Sequence, residues 1–298
     1  MSNTDAHPMD HIPVRPLTFD IAGLSGRNPV WSRSCPEFSI FINALSVHVP
    51  YFERYLIRVL NQAKASVKDP GLREAMSGII GQEAHHAKNF LEFNKFLAET
   101  YPRVNDLDAE ARDFFLDHLR KDSPKRRVGF TAGYETFTFL AGMIVLDRYE
   151  RWFADSDPTI KALWVWHQVE EVEHGAVAFD VYKALYGDHE WYRKYMVVVA
   201  LSHIAMETCR AYFHMCRVSG YLRNPWRALR SAGFIFGTLS KMALLALPVF
   251  SRRYHPRNHP LVTNRQNPIA VGWRQFEGTG GDVLAIDREK MNRILQAN

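Results

Sequence analysis

Residues 164–178, WVWHQVEEVEHGAVA, decide how the rest of the chain is read. His167, Glu171 and His174 follow one another at spacings of four and three, so a helix stacks them on one face, in line with Trp164 before them and Ala178 and Tyr182 after them. Two imidazoles and a carboxylate therefore stand on a stripe that is otherwise apolar and should face a core. Burying an ionised carboxylate without a partner costs several kcal/mol or more, so this face needs positive charge from somewhere.

The same oddity recurs upstream. Glu83 and His86 are three residues apart between Ile80 and Phe90. Glu53 lies on the stripe of Leu45, Val49 and Leu60, and Glu135 lies between Ala132 and Phe139 with Met143 and Leu146 beyond. Lysine and arginine are almost absent from these faces. One glutamate from each of two helices and Glu-x-x-His from each of two others is the donor set of ferritin-like dimetal carboxylate bundles. A single Glu-x-x-His is common by chance; the order E, ExxH, E, ExxH is not. The expected metal ligands are Glu53, Glu83, His86, Glu135, His167, Glu171 and His174. His167 has an alternative role as a histidine hydrogen-bonded to a ligand carboxylate. Glu53 and Glu171 are expected as terminal ligands, Glu83 and Glu135 as bridges. Glu170 and Glu173 fall off the stripe and should be solvated or paired with arginines such as Arg54 or Arg148.

Four long helices are predicted around these stripes. The first runs from about 38 to the breaker Asp69-Pro70-Gly71, the second over 72–100 to Tyr101-Pro102, the third over 127–154 and the fourth over 158–186. Asp157 and Pro158 supply a cap and a first-turn proline to the fourth. Residues 103–126 form the link between the two pairs, with a short helix at about 108–121. This is an all-α, ferritin-like four-helix bundle with one long crossover. It is preceded by an extended arm (1–37), fills 38–187, and is followed by two apolar helices within 188–252 and a loop-rich tail (253–298). The helix at 226–250 is apolar from Phe234 onward but interrupted by Lys241. Packing on the bundle or lying on a membrane surface is preferred over a span, which needs about 20 apolar residues. In the preceding helix His203, Glu207, Arg210 and His214 form a polar seam, read either as a satisfied buried network or as residues behind the metals or at the substrate mouth.

Composition bounds the alternatives. A chain of 298 residues with 47% hydrophobic and 23% charged residues can bury a large core and is not disordered over most of its length. Three cysteines without a CxxC pair exclude a disulfide scaffold and a thiolate zinc site, and point to a reducing cytosol. The net charge of +5 comes without a dense basic block interleaved with aromatics, so nucleic acid is not an expected partner.

Two resemblances follow from these motifs. The seven donor positions, including His167-x-x-x-Glu171-x-x-His174, resemble the ligand pattern of the di-iron arylamine N-oxygenases. Over most of its length the chain instead resembles a bacterial family labelled "predicted metal-dependent hydrolase", through Gln82-Glu83-Ala84-His85-His86, Glu170-Glu171-Val172-Glu173-His174, Ala178-Phe179-Asp180 and Tyr254-His255-Pro256. The resemblances imply a bound metal. Hard oxygen donors with imidazole suit two iron ions, with manganese as the alternative. The ligand order favours a non-haem di-iron oxidase or oxygenase that activates O₂ to oxidise a small organic substrate, with an electron donor as a further partner. The alternatives are a hydrolase using metal-activated hydroxide and a ferroxidase or non-catalytic dimetal protein. A homodimer and peripheral membrane contact are both compatible with the apolar C-terminal helices.

Overall fold

Proline opens most of the helices, because the first turn needs no backbone N–H and the ring fixes a helical φ. In the computed structural model, which describes residues 7–263 and 266–285, helices α1 (Pro36–Ser46), α2 (Val49–Lys64) and α3 (Pro70–Thr100) each carry proline at their first or second position. So do α5 (Pro124–Asp147) and α7 (Pro158–His174), which follow α4 (Val104–Lys121) and the single turn α6 (Tyr149–Trp152). Asp69, Ser123 and Asp157 cap α3, α5 and α7 by accepting hydrogen bonds from first-turn amides. Then come α8 (Val177–Tyr186), α9 (Glu190–Val218), α10 (Pro225–Leu245), α11 (Pro260–Thr263) and α12 (Pro268–Gly278). Among the described residues there is no strand; an isolated bridge joins Ser32 to Ser156. The chain is all-α.

Element boundaries depart from the periodicity reading in several places, and the third predicted helix (127–154) ends at Asp147, with Tyr149–Trp152 a separate turn. The first predicted helix breaks before Pro50, which cannot donate into a continuing helix. The fourth breaks after His174 at Gly175, where an added Cβ would stand 2.8 Å from the Phe139 ring. The link helix α4 is longer than its apolar pattern suggests. The tail is not loop alone, since it forms α11 and α12; residues 286–298 of it, and residues 1–6 of the arm, lie outside the described residues.

Helix α2 packs along α3, and α5 along α7, with α2 also touching α5 and α3 touching α7. Helix α9 lies across the outside of α5 and α1. Close approach to α5 is made possible by glycine: a Cβ on Gly133 would sit 2.6 Å from the Met196 carbonyl oxygen of α9, and one on Gly142 would sit 3.1 Å from the Gln168 carbonyl oxygen of α7. One apolar core runs from Met9 in the arm to Val283 in the tail. The arm is tied down by side chains of α3: Asn89 accepts from the Phe19 amide and donates to the Leu17 carbonyl, and Gln82 donates to the Pro13 carbonyl. Among the described residues, two helical segments are long and apolar enough to cross a membrane by length and composition. Pro124–Asp147 is 94% buried and is a core helix, whereas Pro225–Phe250 is only 28% buried.

Candidate metal centre

The break after His174 leaves α7 ending inside the protein, and side chains of its last two turns face Glu53 in the second turn of α2 and Glu83 and His86 in the middle of α3. Glu53 (α2), Glu83 and His86 (α3), Glu135 (α5), and His167, Glu171 and His174 (α7) are all at most 4% exposed. Six of the seven fall into two groups of four: Glu53, His86, His167 and Glu171 in one, and Glu83, His86, Glu171 and His174 in the other. In each group one donor atom per residue lies within 4.8 Å of the others, which is the spread of a metal's coordination shell. His86 and Glu171 belong to both. Glu171 turns Oε1 towards His167 Nε2 at 3.1 Å and Oε2 towards His174 Nε2 at 3.9 Å, so its carboxylate, expected to be terminal, spans the two groups. Glu83 lies in one group only, 3.5 Å from His86 Nδ1 and 3.4 Å from His174 Nε2.

Glu135 differs from expectation. It lies in neither group, and its Oε2 accepts a hydrogen bond from His174 Nδ1 at 2.9 Å. Glu170 does the same for the other Glu-x-x-His histidine, accepting from His86 Nε2 at 2.9 Å. Each bond fixes its ring and turns the opposite nitrogen into the cluster, as carboxylates behind metal-bound histidines do. His167 Nδ1 lies 2.7 Å from the side-chain nitrogen of Gln168, while its Nε2 faces Glu53 Oε1 at 3.3 Å. A half-turn of the Gln168 amide would bring its oxygen, which makes no hydrogen bond, onto that Nδ1.

Behind the cluster is a second buried layer that periodicity misplaces. Glu170 and Glu173 are neither solvated nor paired with Arg54 or Arg148. Both are at most 1% exposed and held by Arg15 of the arm, whose guanidinium donates to Glu170 Oε1 at 2.8 Å and to both oxygens of Glu173 at 2.8 and 2.9 Å. Gln82 donates to Glu173 as well, at 3.0 Å. Arg15, between Pro13 and Pro16 in a segment without periodicity, gives no sequence signal of this role; Glu170 could have been suspected from its place beside Glu171. His85, next to His86, is half-buried and takes no part in either group.

Within the cluster, charge is balanced only by its own members. Burial pushes the Glu53 carboxyl up to about 7 and the Glu135 carboxyl up to about 8. Burial also opposes ionisation of Glu171, but His174, His167 and His86 outweigh it and hold that carboxyl down to about 2. His174 is raised to about 10: burial works against its charge, and Glu171 and Glu135 overcome it. Many donor atoms nevertheless make no hydrogen bond, namely Glu53 Oε2, both oxygens of Glu83, Glu135 Oε1, Glu171 Oε2, His86 Nδ1 and His174 Nε2. Buried polar atoms are normally satisfied, so a knot of unsatisfied ones, all but Glu135 Oε1 on the residues of two adjoining donor groups, fits cations better than it fits a hydrogen-bond network.

The polar seam of α9 contributes no residue to either donor group, but its His203 contacts Tyr134 and His48, which line the approach to them. His203 pairs through Nδ1 with the Tyr134 hydroxyl and stacks on Phe114. Arg210 binds Glu207 at 2.8 Å and Glu110 of α4 at 2.6 Å in a half-exposed ion-pair set that ties α9 to α4. The approach to the metal groups is lined by Leu45, His48, Phe52, Tyr134, Trp164 and Met242, with His167 and Gln168 at its inner end. Its volume is about 30 Å³, enough for one or two water molecules or a diatomic gas.

A family model described as "Predicted metal-dependent hydrolase" matches residues 13–260. Neither the curated proteins nor the solved structures yield a match. The family description points to hydrolysis, ranked second on the sequence, and gives no support to oxygenation. The match begins at the Pro13 carbonyl that Gln82 binds, includes Arg15 and all seven cluster residues, and ends beyond α10, so the chain belongs to the predicted metal-dependent hydrolase family.

Proposed function

We propose that α2, α3, α5 and α7 form a ferritin-like bundle holding two divalent metal ions, and that the protein is a metal-dependent enzyme acting on a small substrate beside them. The observation that carries this reading is the convergence of unsatisfied, buried donor atoms in two groups that share His86 and Glu171. Carboxylate oxygens with imidazole nitrogens suit iron first and manganese second. Glu53 and His167 would serve one ion and Glu83 and His174 the other; the two oxygens of Glu171 face both groups, and His86 would give its one free lone pair, on Nδ1, to one of the ions. Glu135 and Glu170 would hold His174 and His86 in the orientation that exposes their lone pairs. When bound, the ions supply Lewis acidity and, if iron or manganese, electrons for oxygen chemistry.

Hydrolysis is the primary reading, on the strength of the family. In it the chain's own residues keep bulk water out through the aromatic and aliphatic approach, admit one or two waters to the inner end, and orient them against Glu53, Glu171 and His167. Oxidation of a small organic substrate by dioxygen is a second reading. It is favoured by the carboxylate-rich, three-histidine donor set and by an approach sized for a diatomic gas and walled by apolar groups.

Elemental analysis of protein grown with iron or manganese should give two metal ions per chain; sub-stoichiometric metal that a chelator removes without altering the melting temperature would refute the site. Turnover of an ester and phosphoester panel without oxygen, retained with zinc, assigns hydrolysis. Oxygen consumption by the reduced iron form that depends on added organic substrate assigns the second reading.

A further inference from the structure

The outermost layer inverts the usual surface. Helix α9 turns Trp191, Tyr195, Val198, Ser202 and Met206 to solvent at helical spacing, with Trp191 73% exposed. Helix α10 does the same with Trp226, Leu229, Phe236 and Leu244, continued by Leu247 in the turn after it, and Trp226 is 80% exposed. Neither series contains a charged residue. Phe213 of α9 touches Phe236 of α10, with ring centroids 6.3 Å apart, so the two stripes join. Soluble monomers seldom leave an apolar face of this length uncovered.

The charges beside this face say what covers it. From 217 to 253 the sequence has seven lysines and arginines and no acidic residue. Arg230 and Lys241 are engaged by Glu37 and Asp147. Arg217, Arg223 and Arg227 at one end of α10, and Arg252 and Arg253 beyond the other, are exposed and make no ion pair among the described residues. Apolar side chains between two cationic ends, with tryptophan at one of them, match the acyl and headgroup layers of an anionic bilayer surface. A second copy of the chain fits worse, because a twofold contact between identical faces brings arginines towards arginines.

We propose that α9 and α10 lie in the plane of an anionic lipid surface and dock the protein there as a peripheral membrane protein. A spanning α10 is disfavoured by the bonds that hold its inner side to the fold: Tyr212 donates to the Ser231 carbonyl, Arg193 to the Val249 carbonyl and His259 to the Leu245 carbonyl. The docking needs no metal and stands apart from the catalytic reading. It has a consequence for it, since Ile204 of α9 and Met242 of α10 wall the approach to the donor groups on the inner side of the same two helices.

The test is co-sedimentation of the full chain with vesicles of phosphatidylcholine alone or with one-third phosphatidylglycerol. Wild type should partition at least about tenfold more strongly onto the anionic vesicles, and high salt should reduce this. Trp226→Ser with Leu229→Ser should lose about tenfold or more while keeping the wild-type circular dichroism and melting temperature. Leu244→Ser with Leu247→Ser gives an independent loss should the first pair fail to fold. Arg223→Glu with Arg227→Glu should lose the anionic preference and leave binding to neutral vesicles unchanged. Equal or absent partitioning of wild type on the two vesicle types overturns the proposal. So does a wild-type dimer by light scattering that the serine variants convert to monomer without any vesicle binding.

Discussion

The centre of the molecule and its α9–α10 layer break the burial rule in opposite directions. At the centre, glutamates and histidines are packed away from water; in the outer layer, tryptophan, leucine and phenylalanine are left in it. The outer violation is confined to one face of its helices, whereas α7 buries charged groups on more than one face, Glu170 and Glu173 as well as Glu171. Charge inside is tolerable where a cation can be shared, and apolar surface outside where lipid or another molecule covers it. The contrast teaches that what looks like a defect in a chain taken alone can mark the place of a partner the chain does not encode. The two places call for different chemistry, one for a hard cation and the other for an apolar layer with negative charge at its edge.

The sharpest attack on the inner half is on the two residues common to both donor groups. Glu171→Ala should abolish binding of both metals, and His86→Ala should remove at least one of them; each should lower activity by more than about 100-fold, since altering even the residues behind metal ligands costs ~10–100-fold. If either variant retains a full complement by elemental analysis, the two groups do not share those side chains. Replacing Glu135, which lies outside both groups, should weaken metal binding less.

Next comes the ion-pair layer behind the cluster. Arg15→Leu strands Glu170 and Glu173 without their cation, and breaking a buried pair in this way costs about 3–5 kcal/mol. Urea unfolding of the metal-free protein reads that loss directly; a change under ~1 kcal/mol would mean that the arm merely covers the carboxylates.

Acid offers a smaller effect that involves no donor. Burial pushes His48 down to about 3, with the charge on His203 adding to the shift. The folded state therefore binds fewer protons than the unfolded one at this site, and its stability contribution is complete above the ordinary histidine value of about 6.5 and falls as pH drops from there towards 3. At pH 5 the loss attributable to His48 is about 2 kcal/mol. His48→Phe should flatten the stability profile between pH 6.5 and 5 by that amount. An unchanged slope would show that His48 is not kept neutral by the fold.

The smallest expected effect sharpens the comparison most. Trp226→Ser at the outer face should change stability by less than ~0.5 kcal/mol, as surface substitutions do, whereas Trp164→Ala beside the metal groups should cost about 3–5 kcal/mol. Comparable losses for the two tryptophans by thermal denaturation would mean that α10's outer face is part of the core after all.

What the sequence alone determines is whatever depends on spacing along one helix. Glu83 and His86, and His167, Glu171 and His174, share faces because 3.6 residues complete a turn, and that periodicity with its repeat across the chain is enough to pick out six of the groups' members and the all-helical class. Spacing also shows α10 to be apolar. What it does not carry is how faces from different helices meet. Only the packed structure turns Glu135 onto His174 rather than into a donor group, seats Arg15 from an aperiodic arm against Glu170 and Glu173, and splits the α9 seam, with Arg210 bound to α4 and His203 to Tyr134. Those placements depend on contacts between residues far apart in the chain, such as glycines that let α5 close on α7 and α9, and local periodicity holds no record of them.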